Sequence, residues 1–252
     1  MHTSRDEILL RAEGISKRFG ENRVLENVDF ALKKGELVCL LGISGAGKTT
    51  LFNILSGLMT PDSGKVLLCD RDITGRPGEI SYMLQKDLLL PYRTVVDNVA
   101  LPLIIKGEKK KDAREKAASY FAKFGLAGTE KLYPHKLSGG MRQRAALLRT
   151  YLASDGVALL DEPFSALDTI TKSAMHEWYL DIMHEIDLTT LFITHDMDEA
   201  VKLSDRICIL GGKPGHILCE IPISEPRPRP HDFALTSAFL NYKRQIAENL
   251  IL

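Results

Sequence analysis

Two glycine-rich turns, each placed where a helix should begin, constrain this chain more than anything else in it. The first is Gly42-Ile43-Ser44-Gly45-Ala46-Gly47-Lys48-Thr49, with a lysine and a hydroxyl. The second is Leu137-Ser138-Gly139-Gly140-Met141, with no lysine. A helix N-terminus offers unpaired N–H groups and about half a positive charge, so each turn is a candidate anion cradle. One chain carrying both points to a fold that closes on a nucleotide from two sides.

Charge and length bound the rest. The 252 residues carry 33 Lys plus Arg and 33 Asp plus Glu, a formal net charge of zero. A protein built around nucleic acid usually carries a clearly basic domain, so the balance argues against that class. The apolar runs are short, Leu37 to Leu41 among the longest, against the roughly 18 to 20 residues of a membrane span. The start, Met1 to Glu7, is polar and unlike a secretory signal. Cys39, Cys69, Cys208 and Cys219 lack the paired spacing of a metal site. Cys39 and Cys208 lie in apolar runs, where cysteine acts as a small hydrophobe, and reduced thiols in a cytosolic protein are expected.

Strand patterns come first. Ile8–Ala12, Val28–Leu32, Leu37–Leu41 and Lys65–Leu68 are β-type runs split by Gly14, Gly20, Gly35 and Gly64. Leu37–Leu41 is apolar on both faces, as a buried parallel strand requires. The first cradle follows it directly, and a helix is predicted from Lys48 to Leu55. From about Lys86 to Tyr151 strand patterns vanish. Lys109–Phe124 reads as an amphipathic helix with Ala113, Ala117, Tyr120, Phe121 and Phe124 on one face and Gly125 as its stop. A second helix is predicted from Ser138 through Leu148. Val157–Leu160, Leu191–Thr194 and Arg206–Leu210 then read as buried strands, with a helix over Ser173–Ile186, an alternation that predicts an α/β fold on a parallel sheet. The tail opens with Glu225-Pro226-Arg227-Pro228-Arg229-Pro230, an extended segment. A helix follows with Leu235, Phe239, Tyr242, Ile246 and Leu250 on one side, expected to pack on its own domain.

The chemistry-bearing residues gather at predicted strand ends. Glycines in the first cradle let N–H groups point at phosphate oxygens, Lys48 reaches the β and γ phosphates, and the Thr49 hydroxyl ligates Mg²⁺. Asp161 and Glu162 follow the buried run Val157–Leu160, at the carboxyl edge where ligands of open α/β sheets bind. Asp161 is suited to Mg²⁺ and Glu162 to act as general base on an attacking water. Gln85, after Ile80–Met83, and His195, after Phe192–Thr194, fall on the same edge. His195 is placed for a γ-phosphate contact, and the Gln85 amide for water and a metal-bound oxygen, although each alone also fits an ordinary loop position. Ser138 reads as an N-cap, and its bare helix start suits the far side of a γ-phosphate.

Taken together these motifs resemble the ATP-binding cassette family. Gly42–Thr49 matches its Walker A motif, Leu137–Met141 its signature, and Leu160-Asp161-Glu162-Pro163 its Walker B motif and catalytic glutamate. Ser165-Ala166-Leu167-Asp168 resembles its D-loop, Gln85 its Q-loop glutamine and His195 its switch histidine. Phe19, in Lys17-Arg18-Phe19-Gly20, fits the aromatic that stacks on adenine. The resemblance implies a P-loop NTPase core with an antiparallel β subdomain and an inserted α-helical subdomain. The implied division is an ATPase domain over 1–220, with the helical part at about 86–151, and a linker and C-terminal helix over 221–252. Implied nucleotide contacts are Phe19, Gly42, Ser44, Gly45, Ala46, Gly47, Lys48, Thr49, Thr50, Ser138, Gly139, Gly140 and Asp168. Thr49, Gln85 and Asp161 are the implied Mg²⁺ ligands, and Glu162, His195, Gln85 and Lys48 the implied catalytic groups.

The same resemblance implies partners. Cassettes of this family pair head to tail, each ATP lying between the Walker A motif of one and the signature of the other, so a homodimer is expected. Gln85 to Val99, Leu137 to Arg144 and the proline-arginine tail look like the nitrate/sulfonate/taurine import branch. That implies an ATPase on the cytoplasmic face of a membrane, bound to a separate permease through the 86–150 region and served by an extracytoplasmic solute-binding protein. Leu88, Leu89, Leu90 and Tyr92 are either part of that docking groove or core. The solute stays open among nitrate, sulfonates, taurine and vitamin precursors. A soluble cassette acting on DNA or ribosomes fits less well: no heptad run lies between the two turns, there is one cassette, and the charge is balanced. A small-molecule kinase leaves Ser138–Met141 and Ser165–Asp168 without a role.

Overall fold

Alternating side chains of one short strand divide the core in two. In the computed structural model, described for residues 7–250 apart from 166, 187 and 228, strand β3 (Leu37–Leu41) is buried along its whole length. Leu37, Cys39 and Leu41 belong to one apolar cluster, Val38 and Leu40 to the other, as the period of two demands. Strands β7 (Val157–Asp161), β8 (Thr189–Thr194) and β9 (Arg206–Gly211) divide in the same way. Together with β6 (Ser81–Met83) and β10 (His216–Pro222) they form a six-stranded sheet of order β10-β9-β3-β8-β7-β6, parallel except for β10. Each fully buried leucine or phenylalanine here contributes roughly 1.5–3 kcal/mol.

One face of this sheet is covered by helix α1 (Lys48–Leu55) and a four-stranded antiparallel sheet of order β2-β1-β4-β5. Strands β1 (Ile8–Phe19) and β2 (Asn22–Lys33) are much longer than the runs predicted around them. Gly14 does not end β1 but sits at a bulge between Ala12 and Ile15, where the ladder shifts register and resumes. Strand β4 (Ser63–Leu68) pairs with β1, and the two-residue β5 (Arg71–Asp72) closes the edge.

The other face carries helices. Between the adjacent strands β6 and β7 the chain forms α2 (Val95–Val99), α3 (Leu101–Ile105), α4 (Lys110–Ser119) and α5 (Gly139–Ala153), with no strand among the described residues of that stretch. Asp97 of α2 takes a two-pronged bond from Arg114 of α4, at 2.7 and 2.6 Å. Helix α4 ends earlier than predicted. The N–H groups of Tyr120, Phe121 and Gly125 bond three residues back, to Ala117, Ala118 and Ala122, while that of Phe124 reaches four back to Tyr120, and Phe121 and Phe124 are both fully buried. Helices α6 (Thr169–Ile186) and α7 (Met197–Leu203) complete this layer. Helix α8 (Ser237–Leu250) packs on α7, β9 and β10 through the buried Phe239 and Ile246. Leu235 departs from the predicted apolar stripe: it lies in a 3₁₀ turn before α8 and is 86% exposed. Ala166 of the predicted 165–168 turn and Pro228 of the tail fall outside the described residues, as does the polar start before Glu7.

Candidate functional site

Sheet order gathers the predicted residues. Strands β3, β8, β7 and β6 are consecutive neighbours and parallel, so their carboxyl ends share one edge at about 4.8 Å spacing. Leu41 pairs with Thr194, Ile193 with Asp161 and Leu160 with Met83. The next residues are the Gly42 loop, His195, Glu162 and, two beyond Met83, Gln85.

Glu162 is the centre of that edge. Gln85 Nε2 donates to its Oε2 at 3.0 Å, and His195 Nδ1 lies 3.0 Å from Oε1. A carboxylate only accepts, so Nδ1 carries the proton in this contact. The glutamate backbone is left-handed, φ +45°, a region costing a non-glycine residue about 1–3 kcal/mol. It is held there by its N–H bond to Ile193 O at 3.0 Å and by Ser165, whose N–H and Oγ both donate to its carbonyl. Asp161 accepts from the Tyr82 hydroxyl at 3.2 Å. Burial, then the charge of Glu162, pushes the Asp161 carboxyl up despite Tyr82 and Lys48.

The 42–49 segment turns too close to its neighbours for side chains at two of its glycines. A Cβ on Gly42 would meet Leu210 O at 2.2 Å, and one on Gly47 (φ +97°) would meet Leu25 Cδ2 at 2.7 Å. Glycine is therefore required at both positions for the loop to pack against β9 and the β1–β2 hairpin. Lys48 Nζ donates to the Gly42 and Ile43 carbonyls at 2.7 and 2.9 Å. Burial pulls its pKa down, partly offset by Glu162 and Asp161. Ser44, Gly45 and Thr49 are exposed on the loop, Thr50 is half-buried behind it, and Ala46 is buried. Thr49, Asp161 and Gln85 offer hydroxyl, carboxylate and amide oxygens, a hard donor set suited to Mg²⁺ but too few to hold it without phosphate oxygens. Phe19 ends β1 with 48% of its surface exposed and Lys17 Nζ 5.7 Å from its ring centre. The β1–β2 hairpin that carries it also supplies Leu25 and Val24 against Gly47.

The second turn caps α5. Ser138 Oγ accepts from Met141 N–H at 3.2 Å, and the positions of Gly139 and Gly140 face Leu167 and Thr171. Asp168 caps α6 through Thr171 N–H at 3.0 Å and its hydroxyl at 2.6 Å. The structure thus brings Gly139 and Gly140 against the Leu167 and Thr171 side chains that flank Asp168. No hydrogen bond joins residues 138–141 to the 42–49 loop among the described residues.

Several residues that organise this edge escaped sequence reasoning. Arg149 of α5 donates to the carbonyls of Asp87 and Leu88 at 2.6 and 2.9 Å, and Arg142 pairs with Asp87 at 3.3 Å. The segment after Gln85 is thereby tied to the helix that Ser138 starts. Lys172 of α6 bonds Asp196 at 3.1 Å and pairs with Glu199 of α7, which is 3% exposed. Glu199 also accepts from the Thr194 hydroxyl. Burial opposes both charges, but their partners outweigh it: Glu199 and Asp196 raise Lys172, and His176, Lys172 and Thr194 lower Glu199. An acid directly before the apolar pair Ala200-Val201, which shares its buried surface, was the available signal. Because the folded pKa of Glu199 is depressed, its stabilisation is present above the ordinary carboxylate range and is lost as pH falls. Lys172→Met is expected to cost about 3 kcal/mol at neutral pH, because Glu199 loses its cation and keeps only the Thr194 hydroxyl and His176 Nε2, 3.5 Å away. That loss should shrink toward acid pH, where the carboxylate takes up a proton. Urea unfolding at two pH values measures it, and an equal loss at both would refute a charged Glu199.

Comparison with known proteins places this geometry in a class. Residues 25–165 match the family model described as ABC transporter, and the chain belongs to that family, as one of its ATPases. The formylaminopyrimidine import ATP-binding protein ThiZ of Halalkalibacterium halodurans is 45% identical over 216 residues, 85% of this chain and 84% of that protein. An aliphatic sulfonates import ATP-binding protein, SsuB of Bacillus cereus, is 41% identical over 214 residues, covering 85% and 84%. A dimeric structure of the bacterial ABC transporter cassette MJ0796 superposes with TM-score 0.73 at 28% identity, covering 86% of this chain and 100% of that one. A post-hydrolysis state of the same cassette, bound to ADP and Pi, matches equally.

Proposed function

We propose that this chain is the ATP-hydrolysing subunit of an ABC importer, working as a homodimer on the cytoplasmic face of a membrane. It powers uptake of a small solute such as nitrate, a sulfonate or taurine through a separate permease, with an extracytoplasmic solute-binding protein delivering cargo. The observation that carries the reading is Glu162, bracketed by Gln85 and His195 on the edge that also bears the Lys48 cradle. Importer relatives support the direction. Among the described residues, no helix is long and apolar enough to cross a membrane, which fits a peripheral subunit. Leu89 is core at 7% exposure, whereas Leu88 and Tyr92 are exposed, Tyr92 by 73%. The exposed pair, with Leu84 and Ile105, is the surface assigned to the permease.

In this reading the 42–49 N–H groups and Lys48 hold the phosphates, and Phe19 stacks on adenine. Thr49, Asp161 and Gln85 hold Mg²⁺, whose charge offsets that of the phosphate oxygens. Glu162 takes the proton of the attacking water. Gln85 and His195 occupy one acceptor position on each carboxylate oxygen, which leaves each oxygen able to accept once more. His195 additionally contacts the γ-phosphate. Ser138, Gly139, Gly140 and Asp168 belong to the partner copy's nucleotide. Ser138→Arg should leave ATP binding to the monomer within about twofold and cut hydrolysis by about 10²-fold or more, as loss of a donor set does. Wild-type turnover in that variant would end the shared-site reading.

Solute identity is tested by uptake into vesicles holding the chain with its permease and binding protein. Labelled taurine, an alkanesulfonate, nitrate and a formylaminopyrimidine are the solutes to compare. ATP-dependent accumulation of one of the first three supports the branch. Accumulation of the pyrimidine alone, the cargo in the ThiZ name, replaces it.

A further inference from the structure

The proline-arginine segment takes no part in the chemistry above, yet its arginines are turned inward. Arg227 forks onto Asp205, Nε to Oδ1 at 2.7 Å and Nη2 to Oδ2 at 2.6 Å. Asp205 in turn clips the first residue of β3. Its Oδ2 accepts from Leu37 N–H at 2.9 Å, and its N–H donates to Leu37 O at 2.7 Å. Arg229 holds the end of α7. Its Nη1 donates to Val201 O at 3.2 Å and Lys202 O at 2.9 Å, and its Nη2 to Ser204 O at 2.7 Å. Its Nε bonds Glu225 O at 3.0 Å, and its guanidinium lies 5.5 Å from the ring centre of the buried Phe233.

The last carbonyls of a helix have no partner within it, and a cation there is favoured by the helix dipole. Helix α7 has seven residues, too few to stand without tertiary support. Its opposite end is the His195 turn. Asp196, the next residue, caps α7 by accepting from the N–H groups of Asp198 and Glu199 at 2.9 and 3.3 Å. From α8, Lys243 adds an ion pair to Asp198 at 2.5 Å. The capped carboxyl end of α7 and the His195 turn are the two ends of one element about 10 Å long, so a displacement of the first is carried toward the second against the hold of Lys172 on Asp196 and Glu199.

We infer that Arg229 is a positioning residue: by capping the carboxyl end of α7 it sets His195 against Glu162. This rests on the reading that His195 assists hydrolysis. The test compares ATP turnover by the purified full-length chain with Arg229→Gln, Arg229→Lys, His195→Ala and the double variant Arg229→Gln/His195→Ala. Thermal melts establish that each is folded. Arg229→Gln should lower kcat about tenfold, a loss within reach of a small misplacement, with KM for ATP within about twofold. Arg229→Lys, still cationic, should recover part of it. In the His195→Ala background the glutamine change should add no further loss, as residues acting through one group do not add. If Arg229→Gln does not fold, the lysine variant alone must show lowered kcat at normal KM. Normal kcat in folded Arg229→Gln, or full additivity with His195→Ala, overturns the inference and leaves the histidine reading standing. Wild-type turnover in His195→Ala removes both.

Discussion

Glu162→Gln is expected to retain ATP binding, lose hydrolysis by about 10²- to 10⁴-fold, and accumulate as an ATP-bound dimer. The size follows from removing a general base. Retention of binding follows from the geometry. The amide fills the same volume, and its carbonyl oxygen still accepts from either Gln85 Nε2 or His195 Nδ1, at the two 3.0 Å contacts seen here. One of those contacts must weaken, because the new NH₂ cannot accept. The nucleotide-facing loop at 42–49 is untouched. Phosphate release measures the rate, and size-exclusion chromatography with ATP measures the dimer. Turnover within tenfold of wild type would move the base elsewhere, and a variant that stays monomeric with saturating ATP would count against the paired site.

Lys48→Ala should act on binding instead. An ammonium to phosphate bond contributes about 1.5–3 kcal/mol, which is roughly a 10- to 100-fold rise in Kd. Turnover should fall further, by about 10²- to 10³-fold, because the same charge faces the oxygens where negative charge develops. Burial already pulls the lysine pKa down, with Glu162 and Asp161 opposing it, so its charge is held by these neighbours as well as by the ligand. Calorimetry separates the two effects. Unchanged ATP affinity in a folded Lys48→Ala protein would show that the loop N–H groups alone hold the nucleotide.

Much of the site was legible because its parts are local. A strand followed by glycines, or by Asp161-Glu162, is written in consecutive residues, and parallel pairing then places all such ends on one edge. What stayed hidden was long-range or conformational. Nothing in the sequence shows that Lys172 meets Glu199, or that Arg149 reaches back to the segment after Gln85. Both depend on which helices become neighbours. Strands β1 and β2 outran their predicted lengths because a bulge lets a ladder continue past Gly14. Helix α4 stopped short because burying both Phe121 and Phe124 favours a tighter turn. Leu88 and Leu89 could not be told apart by composition. Only the fold turns one outward and one inward.

The position of β3 has a consequence for how the protein is made. Its two sheet neighbours, β8 and β9, begin at Thr189 and Arg206, so a nascent chain exposes β3, the strand that leads into the 42–49 loop, long before either partner has been translated. Long-range pairing of this kind is slow and leaves apolar edges open meanwhile. The 42–49 loop is therefore synthesised well before the two strands that flank β3, and on the proposed reading ATP capture waits for both.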